Sequence, residues 1–359
     1  MPPVPRPLIK LAILDDYQEI ASKHFESLKS TFEITTFPDT LLPYNDPSTP
    51  EDVKHQLVER LKPFTIISSM RERTPFPASL LKKLPNLKLL LNAASRNKGI
   101  DMEAAKRLGI TVTGASGKSK RGPDSTTQHT VALILGIARN VAWDDRIVKE
   151  GGWQTTLATG LSGKTFGTLG LGRLGTNVAK IMYSAFGMKI IAWSSNLTQE
   201  TADQQARDSG FDTEDEDGEK VFKVVSKEEL FSTADVVSVH LVLSDRSRGI
   251  VGEKDLDLMK KSALFVNTSR GPLVQQEALL GALQKGNIRG AALDVFDLEP
   301  LPEDSQWRST KWGEDGSSKV LLSPHMGYVE EGTMNDWYEV QAENVQRWYE
   351  GKELTHVLA

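Results

Sequence analysis

Short apolar runs alternate with stretches of helical periodicity along the whole chain, and this alternation restricts the fold more than any other feature. The first series of candidate strands comprises residues 9–14, 64–67, 87–91 and 110–112. The second series comprises residues 165–169, 189–193, 236–241, 263–266, 291–294 and 320–322. Strands that alternate with helices form parallel sheets covered on both faces, so the pattern predicts an α/β fold.

The length of 359 residues exceeds what one ordinary core supports and predicts two domains. We place the first boundary in a polar stretch, between residues 120 and 121, just before a candidate buried helix at residues 125–140. The amphipathic segment 330–349 is expected to return to the first domain, because domain termini often lie close together. The prediction is therefore one domain of residues 1–120 with 326–359, and a second of residues 121–325.

Composition excludes several classes of function. There is no cysteine, so disulfides, a Cys-ligated zinc and a thiol nucleophile are ruled out, and we expect no metal. The net charge of −5, from 43 basic and 48 acidic residues, gives no reason to expect a nucleic-acid partner. The longest apolar run, residues 131–138, is far shorter than the roughly 20 residues of a membrane span. With no apolar signal core at residues 1–7, we expect a cytoplasmic protein.

A glycine-rich motif follows the first strand of the second series. It reads Gly170-Leu171-Gly172-Arg173-Leu174-Gly175, and apolar residues at helical spacing come after it. The first glycine permits the tight turn, the second lets the pyrophosphate approach the backbone, and the third allows close helix packing. Arg173 and Leu174 begin the helix whose N–H groups would face the phosphates. The motif in this context predicts a dinucleotide-binding site.

The end of the next strand decides between NAD and NADP. An acidic residue is expected there to bind the adenosine ribose 2′-OH of NAD. The sequence instead has Ser194, Ser195 and Asn196, which neither repel a 2′-phosphate nor supply a positive charge to bind it. We therefore expect NADP or NAD as the cofactor, with the neutral segment favouring NADP.

Three charged residues each follow a candidate strand of the second series. Arg270 comes after the strand at residues 263–266, Glu299 after that at 291–294, and His325 after that at 320–322. Functional groups of doubly wound sheets gather at the carboxyl ends of the strands. An arginine, a glutamate and a histidine are thus expected to converge at one edge.

With these motifs in this order, the sequence resembles the D-2-hydroxyacid dehydrogenase family, in particular members of the glyoxylate and hydroxypyruvate reductase type. The resemblance runs from Leu14-Asp15-Asp16-Tyr17 to the C-terminal helix. It implies two Rossmann-like, doubly wound parallel-sheet domains with the active site in the cleft between them. The substrate domain would be flavodoxin-like and built from both ends of the chain.

The resemblance also implies a chemical role for each of the three charged residues. Arg270 would bind the carboxylate and carbonyl oxygen of the substrate, which suits the paired donors of a guanidinium. His325 would be the general acid in reduction and the base in oxidation. Glu299 would bind the other imidazole nitrogen and stabilise the protonated ring. The reaction would move a hydride between the nicotinamide ring and C2 of a 2-keto or 2-hydroxy acid.

Further residues receive a role from the same resemblance. His240, Thr268 and Asp294 would contact the cofactor, Asp294 at the nicotinamide carboxamide. Four residues would lie at the substrate, namely Arg71, Ala94, Ser95 and Arg96. Glycines are usual where Ala94 and Arg96 stand, which leaves the substrate's size open. The implied substrate is a small anionic 2-keto or 2-hydroxy acid, with glyoxylate and hydroxypyruvate as the family's defaults. A homodimer is implied, with residues 125–140 and the following segment as its interface.

Two alternatives remain open at the level of the sequence. Some proteins of this fold are non-catalytic, cofactor-sensing interaction proteins that act as corepressors. A phosphoglycerate dehydrogenase is a second alternative, although such enzymes often carry an additional regulatory domain. The polar segments 212–220 and 303–318 are predicted to be loops, and the second lies between two of the catalytic motifs.

Overall fold

The computed structural model describes residues 8–116 and 122–359. The described residues form two compact units, each with its own sheet. One contains residues 8–116 together with Glu330–Ala359, and the other runs from residue 122 to Val329. The prediction of two α/β domains with parallel sheets is confirmed.

The first unit is built on a five-stranded parallel sheet in the order β2-β1-β3-β4-β5. This is the strand order of flavodoxin-like folds. The central strands are buried on both faces, as the runs of apolar residues in them require. The strands are β1 Ile9–Ile13, β2 Phe32–Thr36, β3 Ile66–Ser69, β4 Leu89–Asn92 and β5 Thr111–Thr113.

Helices cover this sheet, and the last of them comes from the far end of the chain. Ser68 on β3 donates a hydrogen bond of 2.5 Å to Gln341 of that last helix, and both side chains are buried. Asp101 caps α4 by accepting from the N–H of Ala104. The helices are α1 Ser22–Phe25, α2 Glu51–Leu61, α3 Ala78–Leu81, α4 Met102–Arg107 and α13 Glu331–Tyr349, with a 3₁₀ turn at Glu26–Leu28.

The second unit is built on a seven-stranded parallel sheet in the order β12-β11-β10-β9-β6-β7-β8. When strands β6 to β11 are numbered 1 to 6 in chain order, they lie in the order 3-2-1-4-5-6 of the Rossmann fold. The strand order reverses between β6 and β9, which is the topological switch point. The strands are β6 Thr165–Leu169, β7 Lys189–Trp193, β8 Phe222–Val224, β9 Val236–Val239, β10 Leu264–Asn267, β11 Gly290–Leu293 and β12 Lys319–Leu322.

The helices of this unit lie on both faces of the sheet and bury one apolar cluster on each. Leu133, Ile134 and Ile137 of α5 belong to one cluster, and Leu279 and Leu283 of α11 belong to the other. The helices are α5 Ser125–Ala138, α6 Val141–Lys149, α7 Arg173–Phe186, α8 Gln199–Asp208, α9 Lys227–Thr233, α10 Glu253–Asp257, α11 Gln276–Gln284 and α12 Gln306–Ser309, with a 3₁₀ turn at Gly271–Leu273.

The sequence missed one strand in each sheet. β2 and β8 are edge strands, each with one fully buried position, so they lack the long apolar run that marks a central strand. The predicted loop 303–318 contains the short helix α12, which buries Trp307.

The two predicted domain boundaries have different outcomes. The first, between residues 120 and 121, lies outside the described residues. The second, between residues 325 and 326, lies four residues before the boundary in the structure, because residues 326–329 belong to the second unit. There the backbone N–H groups of Met326 and Gly327 bond the Asp294 carboxylate. Among residues 8–116 and 122–359, no helix combines the length and apolar character that crossing a membrane requires.

Candidate active site

The three predicted catalytic residues follow three neighbouring strands. In the register of the sheet, Asn267 of β10 pairs with Leu293 of β11, and Leu293 pairs with Leu322 of β12. Since the strands are parallel, the segments that carry Arg270, Glu299 and His325 all leave the sheet at its carboxyl edge.

His325 and Glu299 form a short hydrogen-bonded pair. The Nδ1 of His325 lies 2.5 Å from Oε2 of Glu299. The other carboxylate oxygen of Glu299 accepts the N–H of Phe296 at 2.9 Å, which fixes the carboxylate. The side chain of His325 is 21% exposed, so a small molecule can reach it. A carboxylate accepts only, so Nδ1 carries a hydrogen and Nε2 is left to exchange a proton.

The ring of His325 packs on the edge of Tyr328. The two ring centroids are 5.5 Å apart at an interplanar angle of 74°. Tyr328 is 6% exposed and therefore limits the positions that the imidazole can take.

The backbone at Arg270 packs closely against the segment that leads to Glu299. A Cβ on Gly271 would lie 2.0 Å from the carbonyl carbon of Phe296, so no other residue fits there without a shift. The guanidinium of Arg270 donates to the carbonyl of Ser269 at 2.7 Å, and Asn267 donates to the carbonyl of Arg270 at 3.0 Å. The arginine and the glutamate are thus carried on loops in direct contact.

Asp294 is fully buried beneath the turn that carries His325. Its carboxylate accepts from the N–H groups of Met326 at 2.8 Å and Gly327 at 3.0 Å, and from Nε2 of His129 at 3.0 Å. Burial raises the pKa of this carboxyl, but the hydrogen bonds from His129, Ser323 and Met326 outweigh burial and hold the pKa below its usual value. The contact to the nicotinamide stays a prediction, since here the carboxylate faces groups of its own chain.

The glycine-rich motif adopts the geometry that a dinucleotide requires. Gly170 has φ +101°, and a Cβ on it would lie 2.9 Å from the carbonyl of His240, where β6 and β9 diverge. A Cβ on Gly175 would lie 2.0 Å from the carbonyl of Gly170. Gly172 begins α7 with no side-chain cap, and a Cβ there would contact nothing. Open space in front of uncapped N–H groups fits a pyrophosphate.

The other residues predicted to bind the cofactor differ in how far they are buried and in their hydrogen-bond partners. Arg173 is 72% exposed and bonds Asp124 at 2.6 Å, and Leu174 follows it in α7. Burial lowers the pKa of His240 to about 4, so its ring is neutral near pH 7 and bonds Ser238 at 2.9 Å. Thr268 is 6% exposed and bonds Thr130 at 2.8 Å.

The residues expected at the adenosine ribose follow β7. Ser194 is half-buried, and Ser195 and Asn196 are exposed. All three are accessible at the carboxyl end of the strand, where the ribose of a dinucleotide lies in this fold.

The predicted substrate residues belong to the first unit. Arg71 lies 5.8 Å from the ring centroid of Trp337, and its Nε is 3.5 Å from the carboxylate of Glu72. Ala94 is 7% exposed, whereas Ser95 and Arg96 are exposed.

Asn97 connects the two predicted substrate segments. Its amide donates to the carbonyl of Arg71 at 2.6 Å and to the side chain of Asn92 at 2.9 Å.

Three further residues beside the site are not predicted from the sequence, namely His129, Ser323 and Tyr328. Ser323 and Tyr328 lie within three residues of His325, and proximity to the motif could have marked them. His129 lies in α5, 165 positions before Asp294, so only the fold brings it to the site. The described residues contain no group of three or more His, Asp or Glu side chains arranged to hold a metal ion.

Comparison with known proteins gives consistent matches. The family described as "D-isomer specific 2-hydroxyacid dehydrogenase, NAD binding domain" matches residues 131–327. The chain is 37% identical over 282 residues to a glyoxylate reductase from Aeropyrum pernix, covering 76% of both proteins. It is 30% identical to a glyoxylate reductase from Korarchaeum cryptofilum over 93% of this chain and 92% of the relative. The structure matches a phosphoglycerate oxidoreductase from Vibrio cholerae O395 with TM-score 0.77 and 35% identity, over 96% of this chain and 100% of the other.

Proposed function

Because the chain belongs to the D-isomer specific 2-hydroxyacid dehydrogenase family, we propose that it reduces the C2 carbonyl of a small anionic 2-keto acid with Arg270, Glu299 and His325. The observation that carries the proposal is the 2.5 Å pair of His325 and Glu299 at the carboxyl edge of a dinucleotide-binding sheet. When bound, the nicotinamide cofactor supplies the hydride to C2.

His325 protonates the substrate oxygen in reduction and accepts the proton in the reverse direction. Its Nε2 is the free ring nitrogen, because Nδ1 faces Glu299. The Glu299 carboxylate stabilises the ring after it gains a proton, and the bond from Phe296 N–H keeps that carboxylate in place. Arg270 offers two parallel donors to the substrate carboxylate.

The cofactor is NADP or NAD, and we propose a preference for NADPH. The support is the neutral run Ser194-Ser195-Asn196, which has no carboxylate to repel a 2′-phosphate. The other proposed cofactor contacts are Gly170, Gly172, Arg173, Leu174, Gly175, His240, Thr268 and Asp294.

The first candidate substrates are glyoxylate and hydroxypyruvate. The A. pernix and K. cryptofilum relatives are named as glyoxylate reductases, which supports this choice. Arg71, Ala94, Ser95 and Arg96 are the proposed substrate contacts in the first unit, and Arg71 and Arg96 would favour an anionic molecule.

The decisive experiment follows nicotinamide absorbance with a panel of 2-keto acids, with NADH and NADPH in parallel. We expect turnover with at least one acid and a higher kcat/KM with NADPH. His325→Ala should lower kcat by about 10²–10⁴-fold, the usual range for lost acid–base catalysis.

Equal turnover in the wild type and His325→Ala would refute the assigned acid–base role. A wild type that binds NADPH but turns over no acid in a broad panel would instead favour a cofactor-sensing interaction protein. Turnover confined to 3-phosphoglycerate oxidation would identify the phosphoglycerate dehydrogenase alternative.

A further inference from the structure

A buried polar network lies directly under the turn that carries His325. The Nε2 of His129 is 3.0 Å from Oδ1 of Asp294 and 3.0 Å from Oγ of Ser323. The carboxylate of Asp294 also accepts the backbone N–H groups of Met326 and Gly327, the two residues that follow His325. His129 of α5 is therefore linked to this turn through the carboxylate of Asp294 and, just before the turn, through the hydroxyl of Ser323.

The backbone of His325 needs this support. Its φ of +54° lies in the left-handed region, which is unfavourable for a residue with a side chain. Such a conformation persists only where the surroundings fix it. Here the N–H of His325 bonds the Asp294 carbonyl at 2.7 Å, and the next two N–H groups bond the Asp294 carboxylate.

The chemistry of the network determines which atoms donate. An ionised carboxylate only accepts, so the Nε2 of His129 must carry a hydrogen to bond Asp294. The hydroxyl oxygen of Ser323 accepts the same N–H of His129, and the Ser323 hydroxyl donates its own hydrogen to the Asp294 carboxylate. Four donors thus converge on the carboxylate of Asp294.

We infer that His129 is a positioning residue of the reaction, which fixes the Asp294 carboxylate so that the turn holds His325 against Glu299. The inference rests on the proposed function. Without the donor on α5, Asp294 is buried with one bond fewer and can rotate toward Ser323. The two N–H bonds to Met326 and Gly327 then weaken, and His325 leaves the position at which its Nε2 meets the substrate oxygen.

The test compares two amide variants of His129 that differ by one methylene. The amide nitrogen of His129→Gln reaches the position of Nε2, whereas that of His129→Asn falls short. We expect His129→Asn to lower kcat by about 10²-fold, the loss typical of a misplaced catalytic group. We expect His129→Gln to restore kcat to within about threefold of the wild type, with KM changed little in both.

One measurement and one control variant make the result decisive. The far-UV circular dichroism should be the same in the wild type and in all variants. Gln128→Ala, an exposed neighbour on α5, is the control for disturbance of the helix and should behave as the wild type.

The outcomes separate this inference from the proposed function. No turnover in the wild type refutes the proposed function itself. An active wild type with an unchanged His129→Asn, or with equal losses in the Asn and Gln variants, refutes the positioning role. A loss that appears only in KM, with kcat unchanged, also overturns it.

Discussion

Asp15 is a buried carboxyl in the first unit, and burial sets how it affects stability. It is 1% exposed, and burial raises its pKa from 3.8 to about 6 against the opposing effects of Thr40 and Arg73. The folded protein therefore binds the proton more tightly than the unfolded chain. The stabilisation of the folded state that comes from this difference in pKa is present below about pH 4 and is lost as the pH rises through 6.

Replacing Asp15 by Asn should remove this pH dependence. Asn resembles the protonated carboxyl and tolerates the φ of +61° at this position. Between pH 4.5 and 7.5 the free energy of unfolding should fall by about 2 kcal/mol more in the wild type than in the variant. Urea denaturation at both pH values measures the difference. Parallel pH dependence in the two proteins would contradict the assignment.

At the scale of elements, the site depends on how two loops pack after β10 and β11. A methyl group at position 271 would lie within 2.5 Å of three backbone atoms of Phe296 and Asp297, and backbone atoms cannot move aside cheaply. Gly271→Ala should therefore separate the loop of Arg270 from the loop of Glu299.

We expect Gly271→Ala to cost about 1–3 kcal/mol of stability and roughly 10²-fold in kcat. Thermal unfolding and the nicotinamide assay test both effects. Gly281→Ala is the matched control, because a Cβ there contacts nothing and alanine favours the helix α11. A Gly271→Ala enzyme as active and stable as this control would refute the loop-packing argument.

The sequence predicts central strands well because burial on both faces makes most of their residues apolar, as in β4 and β9. It fails at β2 and β8, where a sheet edge needs few apolar residues. The sequence predicts the position of the glycine motif and of Arg270, Glu299 and His325. Each follows a strand, and functional groups of this fold lie at the carboxyl ends of the strands. His129 could not, since a lone histidine in a helix gives no sign of a carboxylate 165 positions away.

At the scale of the whole molecule, the segment after α5 carries unusual apolar exposure. Trp153 is 74% exposed and Leu157 is 87% exposed, and Val141 and Val148 of α6 are 59% and 54% exposed. Apolar side chains clustered in one exposed segment mark an interaction surface. We therefore propose that the homodimer expected from the sequence forms through α5 and the residues that follow it.

The double variant Trp153→Ser, Leu157→Ser should weaken the dimer. We expect its mass in light scattering to fall from twice 39.6 kDa toward 39.6 kDa at micromolar concentration. Leu258→Ser, an exposed apolar position outside this segment, is the control and should leave the mass unchanged. A double variant with the mass of the wild type would exclude this segment as the interface.

Residues 357–359 bond the edge strand β5 of the first unit. Val357 pairs antiparallel with Thr113, and Leu358 and Ala359 bond Val112 on β5. During synthesis the ribosome must therefore make the whole second unit before the first can close. At about 5–20 residues per second, this delay lasts on the order of 10–40 s. For that time the apolar face awaiting α13 is open to water, so the nascent chain is vulnerable to aggregation just when its second half is already able to fold.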